Sequence, residues 1–433
     1  MKINVGTELV VPRSRRRVRI ERFIGEGSQG TVYEVIDLAT GEHSALKWYF
    51  PQTATAAQRR AIGELVDRGS PDHRFLWPNE IVDDDEPGGG FGYFMELRPS
   101  RCASLSELLT GAVDVPFSVI CTLGMELASG FLSLHSEGLC YRDISFSNVF
   151  FDPLTGGPLI CDNDNVGIDG DTTSAVLGTR RFMAPEIVRR EVSPSTQTDL
   201  YSLSVLLFYL LMVGHPLVGR KELDHPTWDD AAESVLFGRE PLFVFDPTDA
   251  SNSPLPDLHA NVVANWAIYP EFIRQLFTRS FTAGLTDPID GRVRESVWRS
   301  AFSRLRDQVL HCHSCSKENY WSADVAAIRC WSCEVELQVP LRLEIDDRML
   351  VLNENTRVFS HHLHMNYDFA AGVASVTRHP DHPDRWGLRN ESAQTWIVRT
   401  VGGSELEVPP GRSVALVPDT QIELGRVRAR LVR

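Results

Sequence analysis

Between residues 18 and 97, apolar side chains come in short alternating runs separated by turn residues, a strand pattern rather than a helical one. A glycine-rich turn at residues 25–30 joins two such runs, and Ala45-Leu46-Lys47-Trp48 reads as the next strand. Residues 58–68 have helical spacing, with Ile62, Leu65 and Val66 on one face. The acidic, then glycine-rich stretch at 83–90 predicts a solvated hairpin loop leading into a strand that ends Phe94-Met95-Glu96-Leu97. From residue 104 to about 310 the period is mainly helical. Its longest apolar run, 203–213 broken only by Ser204, is shorter than the ~20 residues of a bilayer span and predicts a buried core helix. Residues 245–256, rich in Pro, Asp and Ser, predict a loop insertion. Residues 341–433 alternate again, with turns at Val401-Gly402-Gly403 and Pro409-Pro410-Gly411, and predict a small all-β domain.

A chain of 433 residues has room for two to four domains at roughly 100–200 residues each. The expected divisions are a lead segment 1–17, a β-rich lobe 18–97, a helical lobe 98–310, a cysteine module 311–336 and a β-sandwich 340–433. The net charge of −15 argues against a nucleic-acid or anionic-membrane binder. Arg13, Arg15, Arg16, Arg17 and Arg19 are read as a solvated strand flank. No N-terminal stretch has the order of a signal peptide, and four of the eight cysteines sit in two C-x-x-C pairs. Both features favour a reducing, cytoplasmic location over a disulfide framework.

The candidate chemistry is phosphoryl transfer. Gly25-Glu26-Gly27-Ser28-Gln29-Gly30-Thr31-Val32 spaces glycines so that backbone N–H groups can approach phosphates. The strand-like residues after it favour a covering hairpin over the helix that a Rossmann motif needs. Lys47 on the next strand suits α- and β-phosphate charge if a carboxylate holds it, and Glu64, placed inward among Ile62 and Leu65, is the expected partner. In Tyr141-Arg142-Asp143-Ile144-Ser145-Phe146-Ser147-Asn148, Asp143 is placed to orient a substrate hydroxyl and take its proton, and Asn148 to hold a metal. Asp162, after the apolar Pro158-Leu159-Ile160, is the second metal ligand. Oxygen ligands beside phosphates make Mg2+ the expected ion.

In this order the motifs resemble the eukaryotic-like serine/threonine protein kinase family over residues 18–310. Gly178-Thr179-Arg180-Arg181-Phe182-Met183-Ala184-Pro185-Glu186 is similar to the end of the activation segment, and Asp199-Leu200-Tyr201-Ser202-Leu203 to the start of the central helix. Asp287-Pro288-Ile289-Asp290-Gly291-Arg292 is similar to the late segment whose arginine meets the Ala-Pro-Glu glutamate, here Arg292 with Glu186. The resemblance puts Met95 at the gatekeeper position and Glu96 in the hinge that receives adenine. It implies ATP bound by Gly25, Gly27, Gly30, Val32, Lys47, Glu96, Asn148 and Asp162, with Asp143, Lys47 and Glu64 catalytic and protein hydroxyls as substrates. Thr179 favours Ser/Thr over Tyr.

Three positions depart from the pattern. Tyr141 replaces the usual His. Ser145 replaces a Lys near the γ-phosphate, so that either Arg180, Arg181 or magnesium compensates or turnover is slow. Asp162-Asn163-Asp164 replaces Asp-Phe-Gly, removing an aromatic contact and adding a carboxylate that is a candidate extra metal ligand. An active, autophosphorylating kinase in bacterial signalling or stress response is the leading reading. The alternative is a pseudokinase scaffold, while the Ala-Pro-Glu segment disfavours a small-molecule kinase. Thr172, Thr173 and Ser174 are candidate phosphosites that Arg142 would order, with a plain flexible loop the alternative.

Cys312-x-x-Cys315 and Cys330-x-x-Cys333 supply four thiolates in two turns, resembling a zinc ribbon with a structural Zn2+ and no open coordination position. His311 and His313 beside it are read as bystanders. Trp386-Gly387-Leu388-Arg389-Asn390-Glu391-Ser392 and the turns that follow resemble the second half of a forkhead-associated β-sandwich. That family's Gly-Arg and Ser-x-x-His are replaced by Thr356-Arg357 and Gly372-Val373-Ala374-Ser375. Phosphopeptide capture is therefore not expected, and the domain is read as an interaction module for a signalling partner such as a phosphatase. His361, His362 and His364 suggest metal binding, and alternate surface and core positions on a strand explain them as well. The expected fold class is α+β: a bilobal protein kinase fold, then a small zinc ribbon, then an all-β sandwich-like domain.

Overall fold

The computed structural model describes residues 2–83, 90–170, 178–225, 227–325, 327–379 and 381–433. The expected loop at 84–89 and the candidate phosphosites Thr172, Thr173 and Ser174 lie outside the described residues. The chain divides into two compact units, one of residues 1–115, 122–266 and 272–299, the other of 116–121, 267–271 and 300–433.

In the first unit, six antiparallel strands form one sheet in the order β1-β2-β3-β4-β6-β5, with β1 Glu8–Val10, β2 Arg17–Glu26, β3 Gly30–Asp37, β4 His43–Tyr49, β5 Glu80–Asp83 and β6 Phe91–Met95. Alternation along these strands puts Val18, Ile20, Val35, Leu46, Val82 and Phe94 on one apolar side. The expected lead segment belongs to this sheet, because β1 pairs with β2 and Val11 is fully buried in the same core. Three arginines of the expected flank face neighbouring carboxylates: Arg17 on Glu8 at 2.5 Å, Arg16 on Glu80 at 2.8 Å and Arg19 on Glu21 at 2.8 Å. Helix α1, Ala56–Arg68, starts where the Thr55 hydroxyl accepts from the Gln58 N–H and stops at Gly69, whose φ of 80° a side chain resists.

The rest of this unit is mainly helical. The helix Phe117–Ser136 is long and apolar enough by length and composition to cross a membrane. Leu123, Leu127, Phe131 and Leu134, about one turn apart, are nevertheless wholly buried in the lobe, which accounts for its apolar face. The expected core helix is Thr196–Met212, buried from Thr198 onward. Arg292 donates to Glu186 at 2.6 Å and to the Gln197 carbonyl at 2.7 Å, the pair the sequence predicted. The insertion at 245–256 is pinned by the buried Asn252, whose amide donates to the carbonyls of Leu217 and Leu242.

One buried charge cluster ties these helices to the segment 141–148. His135 lies between Asp199, at 3.2 Å, and Glu295, and its side chain is 7% exposed. Asp199 in turn accepts from the N–H groups of Tyr141 and Arg142, at 2.5 and 3.1 Å. Burial by itself disfavours a charged imidazole, but hydrogen bonds and charge from Asp199 and Glu295 outweigh it and raise the His135 pKa to about 9.

The second unit carries two cysteine turns, a two-stranded pairing of Val309–His311 with Glu318–Tyr320, and two larger β-sheets. A six-stranded sheet has the order Arg348–Val351, Arg342–Ile345, Val427–Val432, Gln421–Leu424, Trp396–Arg399 and Glu405–Val408. A four-stranded sheet has the order Arg357–Phe359, Gly372–His379, His382–Asn390 and Ser413–Ala415. Leu343, Val398 and Leu431 of the first share one core with Val358, Val376 and Leu388 of the second, so the sheets form a sandwich. His361, His362 and His364 sit on a short helix, Ser360–His364, rather than on a strand. Tertiary contacts decide this: His361 meets the Ser303 hydroxyl at 2.9 Å and His362 the Asp307 carboxylate at 3.1 Å.

A pKa raised from 6.5 to about 9 means that folding favours the protonated His135. The stabilisation, about 3 kcal/mol at most, is fully present below the unfolded pKa and is lost as pH rises through about 9. Calorimetric melting temperature is expected to fall between pH 6.5 and pH 9 in the wild type. His135→Gln is expected to lower stability and to flatten that slope.

Candidate active site

Hairpin β2–β3 carries Gly25, Gly27 and Gly30 over a cleft between the two lobes of the first unit. A side chain at Gly30 would place its Cβ 2.3 Å from the Trp48 carbonyl oxygen, so the turn closes onto β4 only with glycine. A cavity of about 360 Å3 is lined by Gly27, Gly30, Val32, Lys47, Asp143 and Asp162 among others. These six of the expected site residues therefore converge. Asn148 stands beside them, its amide donating to the Asp143 carbonyl at 3.0 Å. Gly25 is in β2, away from the lining, and Glu96 is exposed just beyond β6. In the hinge that follows, the Arg98 guanidinium lies 4.0 Å over the Phe150 ring and donates to the Cys102 carbonyl.

The expected pair of Lys47 with Glu64 is not formed. Glu64 is exposed, because it is two residues from Ile62 and one from Leu65, separations that on a helix point to different sides. Lys47, with a side chain 5% exposed, pairs with Asp164 at 2.8 Å and Asp162 at 3.0 Å. Burial works against its charge, but the two carboxylates outweigh burial and hold its pKa above the ordinary lysine value.

Asp164, expected as an extra metal ligand, is instead turned onto Lys47 and the Tyr49 hydroxyl, with its side chain fully buried. The residues around it explain how a segment without Phe or Gly keeps its place. Asn163, fully buried, donates to the carbonyls of Leu76 at 2.8 Å and Ile160 at 3.0 Å, replacing an apolar contact by two hydrogen bonds. Asn165 accepts from Gln29 of the glycine hairpin at 2.9 Å. Asp162 itself is left-handed, with φ 52°, and its side chain is 45% exposed toward the cleft.

Tyr49 and Gln58 were not foreseen, although periodicity places both. Tyr49 is two residues past Lys47 and so shares its face of β4. Gln58 precedes Ile62 by four and so shares the inward face of α1. The Gln58 amide reaches the Tyr49 hydroxyl at 3.2 Å and the Asp164 carbonyl at 3.3 Å.

Asp143 accepts from the Thr179 hydroxyl at 2.8 Å. Burial pushes its carboxyl above the usual aspartate value, while hydrogen bonds from Thr179 and Asn148 pull the other way. Tyr141, in the usual His position, is fully buried between Phe75 and Phe131, and its hydroxyl donates to the Cys161 carbonyl. Ser145 is buried with its hydroxyl 2.8 Å from that of Ser147. Arg180 and Arg181 do not replace the missing lysine: both turn to Glu233, at 3.6 and 3.7 Å, and Arg180 also donates to the Ser234 hydroxyl.

In the second unit, Cys312, Cys315, Cys330 and Cys333 bring four sulfur atoms within 4.8 Å of one another. Two turns of the same build hold them. The N–H of Ser316 donates to the Cys312 carbonyl and that of Glu334 to the Cys330 carbonyl, both at 2.9 Å, and both residues are left-handed. The closest sulfur pairs are 3.6 Å apart, near the ~3.8 Å edge of a tetrahedron with metal–sulfur bonds of about 2.3 Å. In the sandwich, Glu391 takes Arg357 at 3.0 Å and the Ser375 hydroxyl at 2.7 Å, so the residues nearest to an anion-reading pair are satisfied internally.

Residues 18–237 match the family model described as protein kinase domain. Among curated proteins, the chain is 27% identical over 254 residues to the DNA damage-responsive serine/threonine-protein kinase RqkA of Deinococcus radiodurans, covering 57% of this chain and 36% of that one. It is 27% identical over 221 residues to a probable serine/threonine-protein kinase, CCRP1, of Zea mays, covering 50% and 34%. With the probable serine/threonine-protein kinase pknA2 of Bifidobacterium longum it shares 28% identity over 210 residues, 45% and 26%. The matched part spans about a third of the length of such relatives. The match covers half of the chain, and the strands and cleft within it come in the expected order. The chain belongs to the protein kinase domain family.

Proposed function

We propose that the protein transfers the γ-phosphate of ATP to Ser/Thr hydroxyls of protein substrates, its own chain among them, in bacterial signalling or stress response. The observation that carries this reading is the convergence of Lys47, Asp143 and Asp162 on one cavity beneath the glycine hairpin. The Thr179 hydroxyl on Asp143 supports Ser/Thr acceptors. Lys47 and the hairpin N–H groups hold phosphates, and Asp143 aligns the acceptor hydroxyl and receives its proton. Asn148 donates through its nitrogen to Asp143, its oxygen accepts a long bond from the Ser147 hydroxyl at 3.4 Å and has a further lone pair to offer a cation, and Asp162 offers an exposed carboxylate. Magnesium held there supplies positive charge against the phosphate oxygens.

One observation favours the scaffold alternative. Ser145 supplies no cation, and neither neighbouring arginine turns toward the cleft. Labelled ATP with magnesium separates the two readings. Incorporation into the chain, abolished in Asp143→Ala, supports transfer, and nucleotide binding without incorporation supports the scaffold.

The four-cysteine site is assigned a structural zinc, its two turns forming a ribbon, and the sandwich is read as a forkhead-associated-like module. Thiolate ligands suit a cytoplasmic location. The sandwich is read as docking a signalling partner, a phosphatase being one class.

Two outcomes are expected. The acid limb of the transfer rate should lie above the usual aspartate range, with activity lost as pH falls through it. Thr179→Val, which removes a bond to the charged form, should move that limb to higher pH. Elemental analysis should find one zinc per chain, and chelation should lower the melting temperature of the second unit. A chain free of zinc that melts identically with chelator would contradict the ribbon.

A further inference from the structure

A lysine that binds phosphates works only if its ammonium is held in place, and the side chain that does so usually reaches it from a neighbouring helix. In this chain helix α1 offers none. Its inward face carries Gln58, Ile62 and Leu65, and its glutamate at 64 is exposed. The carboxylate on Lys47 comes from Asp164, 117 positions later in the chain, at 2.8 Å and with no solvent access.

We propose that Asp164 is the positioning residue for Lys47, so that the anchor of the phosphate-binding lysine lies on the metal-facing segment and not on helix α1. This rests on the phosphoryl-transfer reading above. Three observations carry it. The Tyr49 hydroxyl and the Lys47 ammonium converge on the same carboxylate oxygen, Oδ2 of Asp164, while Oδ1 has no hydrogen-bond partner within the protein. Lys47 is therefore the only cation among the described ion pairs that compensates this buried carboxylate, and separating the two would strand a charge out of water. Gln58 links α1 to the pair through neutral hydrogen bonds to Tyr49 and to the Asp164 carbonyl. Finally, Asn163 and Asn165 brace Asp164 from both sides, on Leu76 and Ile160 and on the glycine hairpin.

The arrangement has a functional content. In a kinase whose lysine is anchored from a helix, moving the helix disconnects the lysine. Here the anchor moves with Asp162, so the lysine and the Asp162 carboxylate are set by one segment, and displacing α1 breaks only neutral contacts to that anchor, the Gln58 bonds to Tyr49 and to the Asp164 carbonyl.

The test compares Asp164→Asn, Glu64→Gln, Lys47→Met, the double variants Lys47→Met/Asp164→Asn and Gln58→Glu/Asp164→Asn, and the wild type, all in the full chain. Readouts are KM for ATP, kcat, and nucleotide affinity by calorimetric titration with ATP itself. Asp164→Asn is expected to lower kcat/KM for ATP by about 10²-fold, the scale of a misplaced reacting group. Glu64→Gln, changing an exposed residue outside the cleft, is expected to stay within about twofold, as for an exposed charge. If Asp164 acts through Lys47, the Lys47→Met/Asp164→Asn double is no worse than Lys47→Met alone, a coupling that a purely structural role would not produce. Gln58→Glu, which returns a carboxylate to the helix beside Tyr49, should recover part of the Asp164→Asn loss.

Wild-type activity in Asp164→Asn, a loss of the same size in Glu64→Gln, or additive losses in the Lys47 double would each overturn the proposal. If the wild type binds ATP and transfers nothing, the phosphoryl-transfer reading fails. The anchor is then judged on affinity alone, weakened by Asp164→Asn and not by Glu64→Gln.

Discussion

A lysine ammonium shut away from water is tolerated only where carboxylates offset the lost hydration, and the cleft of this chain is arranged around that requirement. Lys47 is nearly buried, and the acids that keep it charged are Asp164 and Asp162. Holding two acids there requires the polypeptide at 162–165 to stay put. It does so with polar contacts in succession: a left-handed residue, an amide on two carbonyls, a buried carboxylate and an amide on the glycine hairpin. An apolar wedge followed by a glycine would leave the same segment free to swing. Here every residue has a directional partner, and position is specified by hydrogen-bond geometry rather than by packing.

The opposite side of the cleft is fixed by a different balance. Asp199 reaches up from the central helix to two successive backbone N–H groups of the segment 141–148, and its own charge is met by His135. Glu295 completes the cluster. The placement of Asp143 thus depends on charges buried beneath it, and Tyr141 adds a hydroxyl bond to the Cys161 carbonyl just before Asp162. Asp143 and Asp162 are in this way connected through the Tyr141 side chain and the main chain on either side of it.

Residues whose chemistry demands a type at a fixed spacing were legible. The glycine hairpin, Lys47, Asp143, Asn148 and Asp162, and the two cysteine pairs, could be named because few other side chains can do what phosphates or a thiolate site ask. Glu64 is not the partner of Lys47, because adjacency in sequence does not put a side chain on a helix face that repeats every 3.6 residues. Asp164 gave no local sign of its role, since the contact joins positions 117 apart. Likewise, three histidines in a β-rich stretch suggested a strand, and only contacts to Ser303 and Asp307 make that stretch a turn of helix. Ordinary pattern reading fails where distant contacts override local preference.

The bond between Gln29 and Asn165 has a kinetic consequence. Both residues line the cavity, and the bond joins two uncharged amides, one from the glycine hairpin and one from the segment 162–165. Such a bond is worth about 1 kcal/mol net, a factor of roughly five in population. The roof is therefore biased toward closure before any nucleotide arrives, yet thermal motion opens it readily. On the phosphoryl-transfer reading, nucleotide entering or leaving the cleft would meet only a weak, fast-breaking clasp here, so this bond would add little to the dwell time that its other contacts set.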